Sequence, residues 1–370
     1  MTLNKKVAVG MSGGVDSSVT AYLLQQQGYE VIGVTMQVWH DEEECRRLDR
    51  LARERGETGE RDELAAAGIC EYLGIPHYTV YYDDVFRREV ISNFVEEYLR
   101  GRTPNPCVRC NRYVKWDMLL KAAREHGADW IATGHYGRIL QLPGGRYTVS
   151  NAASAKKDQT YVLYRLTQEQ LSHALMPLGE YEKTEIRRIA EEAGIPSAAQ
   201  KDSQDACFAE DIEGGYAAFI EQEAGGRVPP PGRFRTADGQ DLGEHRGITH
   251  YTVGQRKHLG ISLGHRAVVT AILPETNEII IGRDEDVYSR RLICRDLAFM
   301  GLSEEELPVG ASREVLARIR YGHPGTGALI TRTGEDELTL DFHEKVRAVT
   351  PGQSCVLYEN GYVLGGGIIA

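Results

Sequence analysis

The sequence lacks the features that mark membrane proteins and disulfide-rich secreted proteins. Its 370 residues contain no run of about 18 apolar residues, so no membrane-spanning helix is expected. The apolar stretch near the start is broken by glycine and serine too soon to form a secretory signal peptide. Seven cysteines are too few, and odd in number, for a disulfide framework. We therefore expect a cytoplasmic protein whose thiols stay reduced.

Positive charge is also in short supply. Lys and Arg number 43 against 54 Asp and Glu, a net charge of −11. Such a chain is not coated by nucleic acid over its whole surface, but a local basic patch is still possible. One basic stretch, residues 245–266, contains no acid. It carries His245, His250, His258, His265, Arg246, Arg256, Lys257 and Arg266. The ring of Tyr251 is expected to offer a stacking face there, so this stretch is a candidate RNA-binding surface.

Strand-like and helix-like segments alternate over the first 200 residues. Strands are predicted at 6–9, 31–34, 77–81 and 130–133. The first helix is predicted after a loop at 10–16, with Val19, Leu23 and Leu24 at helical spacing and Gly28 as its stop. Further helices are predicted at 62–73, 85–99, 117–125 and 182–193. This alternation predicts an α/β fold with a parallel sheet. Beyond a Pro-rich turn at 228–232 only short β-like runs follow. We expect domains at 1–210, 211–290 and 291–370, the last a β-barrel.

A glycine-rich loop follows the first predicted strand and precedes the first helix. It reads Ser-Gly-Gly-Val-Asp-Ser over residues 12–17. Adjacent glycines let the backbone approach an anion closely, and the N–H groups of the helix start point toward it. No Gly-Lys-Ser/Thr is present, so this is not a Walker-type loop. The pattern predicts a phosphate-binding loop of another kind.

Three cysteines lie in settings that suggest chemistry. Cys107 and Cys110 form a C-x₂-C after two prolines that should keep the segment out of a helix, and Cys207 lies about a hundred residues later. The thiols could form a redox dithiol, ligate zinc or an iron–sulfur cluster, or act as nucleophile and sulfur carrier. The positive charges of Arg109 and Arg112 should favour the thiolate. The cysteines at 45, 70, 294 and 355 are expected to be ordinary small side chains.

Several motifs together carry a resemblance to a known family. The glycine-rich loop resembles the PP-loop signature of ATP pyrophosphatases. The sequence as a whole resembles the tRNA-specific 2-thiouridylase family. The matching segments, in order, are 10–17, 103–111, 134–136, 157–161, 201–208, 250–256, 320–321 and 351–354. The resemblance implies ATP-dependent adenylation of the uracil C2 oxygen at wobble position 34 of tRNAs for Lys, Glu and Gln. Sulfur then displaces AMP to give 2-thiouridine.

The resemblance also implies roles for individual residues. The residues matching ATP-binding positions are Gly10, Met11, Ser12, Gly13, Gly14, Val15, Asp16, Ser17, Met36 and Gly134. Those matching target-base positions are Asn105, Pro106 and Cys107. Those matching tRNA-contacting positions are His135, Lys157, Asp158, Gln159, Arg320, Tyr321 and Gln353. Cys207 would carry a persulfide and Cys110 would release the sulfur, leaving a disulfide between them. The implied partners are Mg²⁺, the anticodon stem-loop, and a sulfur donor such as a cysteine desulfurase or relay protein.

One departure from the family pattern leaves the sulfur route open. Many members have Asp where this chain has Cys107. Cys107, Cys110 and Cys207 then resemble the three-cysteine set of related thiolases that hold a 4Fe–4S cluster with one open iron. Two other readings are a PP-loop ligase or amidotransferase that adenylates a small carboxylate, and a non-catalytic RNA-binding iron–sulfur protein.

Overall fold

A computed structural model describes residues 5–38, 62–200, 208, 214–261, 263–264 and 266–370. The α-helices in these ranges are α1 (Val15–Gln26), α2 (Asp62–Leu73), α3 (Asp83–Phe86), α4 (Ser92–Leu99), α5 (Pro106–Arg109), α6 (Asp117–Glu125), α7 (Thr160–Leu163), α8 (Gln168–Ser172), α9 (Lys183–Glu192) and α10 (Gly215–Ala224). π-Helical segments cover Arg87–Ile91 and Cys110–Trp116. None of these helices is long and apolar enough to cross a bilayer.

The first nine strands are β1 (Lys6–Gly10), β2 (Glu30–Gln37), β3 (His77–Tyr81), β4 (Trp130–Ala132), β5 (Arg138–Gln141), β6 (Tyr147–Ser150), β7 (Ala174–Leu175), β8 (Gly232–Arg235) and β9 (Asp241–His245). The rest are β10 (Val268–Leu273), β11 (Glu278–Gly282), β12 (Tyr288–Phe299), β13 (Ser312–Arg318), β14 (Thr326–Gly334), β15 (Glu337–Arg347), β16 (Ser354–Glu359) and β17 (Tyr362–Ile369). The chain forms two compact units. The first is Met1–Glu89 with Arg109–Gln204, and the second is Val90–Val108 with Asp205–Ala370.

A parallel five-stranded sheet organises the first unit, as the alternating pattern predicts. Its order is β3-β2-β1-β4-β7, and every neighbouring pair is parallel. The central strand β1 is apolar and buried because helices cover both faces of such a sheet. The chain leaves β1 toward β2 on one side and returns through β4 on the other. The carboxyl ends of β1 and β4 therefore mark the topological switch point, where open α/β sheets bind ligands.

The second unit contains two β structures. A four-stranded sheet has the order β10-β11-β8-β9, with its core around Phe234 and Ile279. Strands β12 to β17 form an antiparallel barrel, closed by pairing of β12 with β17. The prediction of a β-barrel after the α/β region is confirmed.

Two local predictions were wrong. Tyr251 is only 2% exposed and packs edge-to-face on Phe234, with ring centroids 5.2 Å apart, so it offers no stacking face to RNA. The small sheet fills its core with this ring. The C-x₂-C segment is helical, because Pro106 occupies the first turn of α5, where a missing N–H costs nothing.

The predicted helix at 85–99 is broken into three helical segments. Helix α3 passes through the π-helical segment Arg87–Ile91 into α4. An apolar pattern of helical period does not distinguish an α turn from a single wider turn, so this insertion could not be read from the sequence.

Candidate active site

The glycine-rich loop joins the carboxyl end of β1 to the start of α1. Gly13 has φ of 76°, a conformation that glycine adopts without strain. Gly14 is the N-cap residue of α1 and has no side chain with which to cap the first turn. The Ser17 hydroxyl accepts from the Ser12 N–H at 3.2 Å and lies 3.2 Å from the Ser12 hydroxyl. The loop thus presents hydroxyls and backbone N–H groups at a helix N-terminus, which suits an anion.

Gly134 lies against this loop from the neighbouring strand end. A Cβ atom at residue 134 would stand 2.9 Å from both the Asp16 carbonyl carbon and the Ser17 nitrogen. Only glycine permits this approach. Met36, near the end of β2, lies beside Gly10, its Cε 3.7 Å from where a Cβ of residue 10 would be. The structure therefore places Met36 beside Gly10 and Gly134 against the backbone of Asp16 and Ser17.

Asp16 is held by two residues that sequence analysis missed. The Lys183 ammonium lies 2.8 Å from each carboxylate oxygen of Asp16, and the Tyr136 hydroxyl donates to Oδ1 at 2.8 Å. The Lys183 side chain is 12% exposed, so this ion pair is partly shielded from water. Lys183 is the first residue of α9. No local motif signals it, because it lies 167 residues from its partner in the chain.

The loop has groups suited to a magnesium–phosphate ligand. Mg²⁺ prefers carboxylate oxygens together with phosphate oxygens, and Asp16 supplies a carboxylate next to the N-terminus of α1. Lys183 supplies a cation within reach of the same place. Among the residues with assigned structure, no cluster of three or more His, Cys, Asp or Glu side chains could hold a metal ion.

The two cysteines of the C-x₂-C differ in setting. Cys107 is exposed and lies in α5, whereas Cys110 is partly buried and begins the π-helical segment. Arg109 pairs with Glu89 at 2.9 Å and Arg112 with Asp117 at 2.7 Å. Each guanidinium thus has a carboxylate partner. Cys207 lies outside the described residues. Cys70, Cys294 and Cys355 are buried, as expected for packing residues.

The target-base segment is anchored within the second unit. The Gln353 amide donates to the carbonyl oxygens of Thr103 and Pro104, at 2.9 and 3.3 Å. The Thr103 N–H donates to the Pro351 carbonyl at 2.8 Å. The backbone of Thr103 and Pro104 is thereby fixed just before Asn105, Pro106 and Cys107.

Four of the predicted tRNA-contacting residues lie close together in the first unit. His135 is 8% exposed and bonded to the Thr133 hydroxyl at 2.8 Å. Burial, assisted by the charge of Lys115, lowers the pKa of His135 to about 3. Asp158 is also buried and accepts from Thr160 Oγ1 at 2.6 Å. Lys157 and Gln159 flank it and are half-buried.

Arg320 and Tyr321 follow strand β13 in the second unit. Tyr321 is 45% exposed. Arg320 donates to the Arg347 carbonyl at 2.9 Å. Of the basic stretch 245–266, His245 is buried, and burial lowers its pKa, while Arg256, Lys257 and His258 are at least partly exposed. His265 lies outside the described residues. All four Lys and Arg side chains of this stretch, Arg246, Arg256, Lys257 and Arg266, are exposed.

Comparison with known proteins covers the whole chain. A family model described as a tRNA methyl transferase HUP domain matches residues 5–211. A tRNA methyl transferase PRC-barrel domain matches 217–283, and an aminomethyltransferase β-barrel domain matches 289–369. The tRNA-specific 2-thiouridylase MnmA of Lachnoclostridium phytofermentans is 49% identical over 365 residues, 99% of each chain.

Other relatives agree. The tRNA-specific 2-thiouridylase MnmA of Clostridioides difficile is 45% identical over 370 residues, 100% of this chain and 99% of that one. A solved 4-thiouridine synthetase–RNA complex with bound ATP is 20% identical, with a TM-score of 0.30, over 55% of this chain and 44% of that chain, a similarity too low to support an argument. The full-length matches show that this chain belongs to the tRNA-specific 2-thiouridylase family.

Proposed function

We propose that this enzyme converts a tRNA uridine to 2-thiouridine at the expense of ATP, in the cytoplasm. The observation that carries the proposal is the glycine-rich loop at the switch point of a parallel sheet, in a chain of this family. Its hydroxyls, N–H groups and the Asp16–Lys183 pair suit a bound triphosphate with Mg²⁺.

The chain's own groups give a route for activation. The loop binds the β- and γ-phosphates, and the uracil C2 oxygen attacks the α-phosphorus. A P–O bond to the base forms as the bond to pyrophosphate breaks. Lys183 and the N-terminus of α1 stabilise the negative charge that moves onto pyrophosphate. Mg²⁺, when bound at Asp16, supplies further charge neutralisation for the leaving group.

The wobble uridine of tRNAs for Lys, Glu and Gln is the proposed target, with Asn105 to Cys107 beside the base. Support comes from the match of this segment to the family and from the fixed backbone of Thr103 just before it. A cysteine desulfurase or a relay protein is the proposed sulfur donor. The tRNA-contacting roles of His135, Lys157, Asp158, Gln159, Arg320 and Tyr321 belong to the same proposal. Gln353 also matches a tRNA-contacting position, but in the free protein its side-chain amide donates to the carbonyl oxygens of Thr103 and Pro104.

Two sulfur routes are compatible with the three cysteines. In the first, the outer sulfur of a Cys207 persulfide bonds to C2 as AMP leaves. The Cys110 thiolate then attacks Cys207 Sγ, which breaks the persulfide S–S bond, leaves the sulfur on the base and forms a Cys110–Cys207 disulfide. In the second, Cys107, Cys110 and Cys207 would hold a 4Fe–4S cluster, which would supply sulfide to displace AMP from C2. Anaerobic purification followed by iron and acid-labile sulfide analysis separates them. Iron-free protein that still thiolates tRNA removes the cluster route.

The activation step is tested by ATP–pyrophosphate exchange with and without tRNA. Exchange that requires tRNA supports the proposal, and exchange supported by small carboxylic acids alone favours a PP-loop ligase. Absence of exchange under all conditions would leave a non-catalytic RNA-binding protein.

Nucleoside mass spectrometry adds a second check, because the names of the family models mention methyl transfer. Replacement of oxygen by sulfur and addition of a methyl group give different masses.

The transfer step is tested by Cys110→Ala and Cys207→Ala. Each variant should abolish thiolation while tRNA binding stays at the wild-type level, because the thiols act after the base is bound. Cys70→Ala is a control, since Cys70 is a buried packing residue. Thiolation near the wild-type rate in either test variant would show that the assigned chemistry is wrong.

A further inference from the structure

Three segments that are distant in the sequence meet inside the second unit. They are residues 103–107, 250–256 and 350–354. The Thr103 hydroxyl donates to the Thr252 hydroxyl at 3.0 Å, and the Thr350 hydroxyl donates to the Val253 carbonyl at 3.3 Å. With the Thr103 N–H donating to Pro351, each segment is bonded to at least one other. This arrangement surrounds the stretch of backbone that leads into the target-base residues.

Gln353 contributes the contacts most specific to that backbone. Its Nε2 donates to two successive carbonyl oxygens, those of Thr103 and Pro104. Pro104 is followed by Asn105 and Pro106, and two prolines leave this segment few backbone donors of its own. Side-chain donors from elsewhere must therefore satisfy its carbonyl groups and fix its direction.

Gly352 brings the 350–354 segment close enough for these bonds. It has φ of +90°, and a Cβ there would lie 2.9 Å from the Thr103 nitrogen. Its own N–H donates to the Ile369 carbonyl at 3.0 Å, and the Arg102 guanidinium donates to that carbonyl also at 3.0 Å. Residues 102 and 103 are thus tied to the end of the barrel through backbone groups.

We propose that Thr252, Gly352 and Gln353 form a preformed clamp that fixes the 103–107 backbone before tRNA binds. Gln353 is in this account a positioning residue, which acts on the target base through Thr103 and Pro104. The inference rests on the proposed function in one respect, the role of Asn105 to Cys107 at the base. The clamp itself is a property of the free protein.

The clamp determines the rate of the chemical step because the target atom must be held within a fraction of an ångström of the attacking group. A displacement of about 1 Å can cost about 100-fold in rate. Support from bonded neighbours is what gives such a segment its precision. Loss of the clamp should therefore lower kcat while tRNA, held by many phosphate contacts, still binds.

The first test measures hydrogen exchange in the free protein, without tRNA or ATP. Gln353→Met keeps the length of the side chain but removes its donor. We expect the backbone amides of the four non-proline residues among 102–107, which are Arg102, Thr103, Asn105 and Cys107, to exchange about five- to tenfold faster than in the wild type. Gln141→Met is the matched control, since the Gln141 amide donates to the Gly145 carbonyl at 3.2 Å, in a turn of the other unit. Unchanged exchange at 102–107 in Gln353→Met would overturn the clamp, whatever the fate of the proposed function.

The second test separates positioning from direct contact with tRNA. Under the clamp, Gln353→Met lowers kcat for thiolation about 10- to 100-fold, with the Kd for tRNA within about twofold of wild type. A weaker Kd with unchanged kcat would show instead that Gln353 acts by touching tRNA. Gln353→Lys, which restores a donor, should recover part of kcat. Thr252→Val serves if Gln353→Met does not fold, and it should raise exchange in the same segment. Unchanged exchange in Thr252→Val would in that case overturn the clamp.

Discussion

Asp16 shows how one side chain can be prepared for an incoming nucleotide. Both its oxygens are bonded to the Lys183 ammonium, and one also accepts from Tyr136. A carboxylate near the N-terminus of α1 is favoured by the helix dipole, yet it would repel a triphosphate. Lys183 offsets that repulsion. We expect the lysine to turn toward phosphate oxygens once Mg²⁺ takes the carboxylate.

Replacement of Lys183 tests this role. Lys183→Met should lower tRNA-dependent ATP–pyrophosphate exchange about 100-fold. The negative charge that develops on the leaving pyrophosphate would no longer be stabilised by the Lys183 ammonium. Lys183→Arg should retain part of the activity. Lys6→Met is a matched control, since Lys6 pairs with Glu30 at 3.4 Å on β1 but away from the loop. Equal exchange rates in Lys183→Met and Lys6→Met would contradict the assignment. Asp16→Ala is likewise expected to lose adenylation.

At this scale the sequence revealed one half of the site. The order Ser-Gly-Gly-Val-Asp-Ser between a strand and a helix identified the loop, because the whole motif is local. Lys183 and Tyr136 were missed as partners of Asp16, since only the fold brings together residues so far apart. The inward turn of Tyr251 was missed for the same reason.

Among the elements, β1 and β4 determine where the site lies. They are adjacent and parallel, with Val7 opposite Trp130 and Val9 opposite Ala132. The loops that follow them therefore emerge side by side. Gly134 packs on the backbone of residues 16 and 17 at this point, so the two loops support each other.

Gly134→Ala tests that mutual support. The added methyl would lie 2.9 Å from backbone atoms that cannot move away freely, so it should displace the phosphate loop. We expect KM for ATP to rise about tenfold or more, as interactions with phosphate are misaligned. Gly144→Ala is the control, because no atom lies within 4 Å of its added Cβ. Steady-state kinetics at saturating tRNA measure both, and an unchanged KM in Gly134→Ala would contradict the packing argument.

Regular elements were predictable and irregular ones were not. The bounds of α2, α6 and β3 agree with their predictions, because each has a clear apolar period and a polar or glycine-containing boundary. The π-helical segments were not predicted, since one widened turn leaves little trace in an apolar pattern. The proline rule failed at α5 because the position of Pro106 in the helix could not be known beforehand.

At the scale of the whole chain, sequence order and compact units differ. Residues Val90–Val108 lie between two parts of the first unit but cluster with the second. Their partners include Pro351, Gln353 and Ile369, about 250 residues later. No shift in composition marks the points where the chain passes from one unit to the other. The helix and loop of residues 90–108 have a composition similar to that of their neighbours. The α/β and β-barrel parts were predictable from the sequence, whereas the assignment of residues Val90–Val108 to the second unit was not.

Acid should destabilise the first unit through His135. Its pKa is lowered to about 3 by burial, against 6.5 in an unfolded chain. Between these values the unfolded state binds the extra proton, so stability is lost as pH falls below about 6.5, by about 2 kcal/mol at pH 5. Urea unfolding followed by tryptophan fluorescence measures this.

The variant His135→Gln isolates that contribution, because glutamine does not titrate. Between pH 7 and pH 5 it should lose less stability than the wild type, by about 2 kcal/mol. An identical loss in the two proteins would show that His135 is not the buried neutral group responsible.

The central claim is that this chain uses ATP to place sulfur on a tRNA uridine. The most direct measurement is nucleoside mass spectrometry of unmodified tRNA incubated with the purified protein, Mg²⁺, a sulfur-donor system and ATP. We predict 2-thiouridine only when ATP is present, and none with the Asp16→Ala variant. Unchanged or methylated uridine in the complete reaction, or 2-thiouridine formed equally well without ATP, would contradict the account.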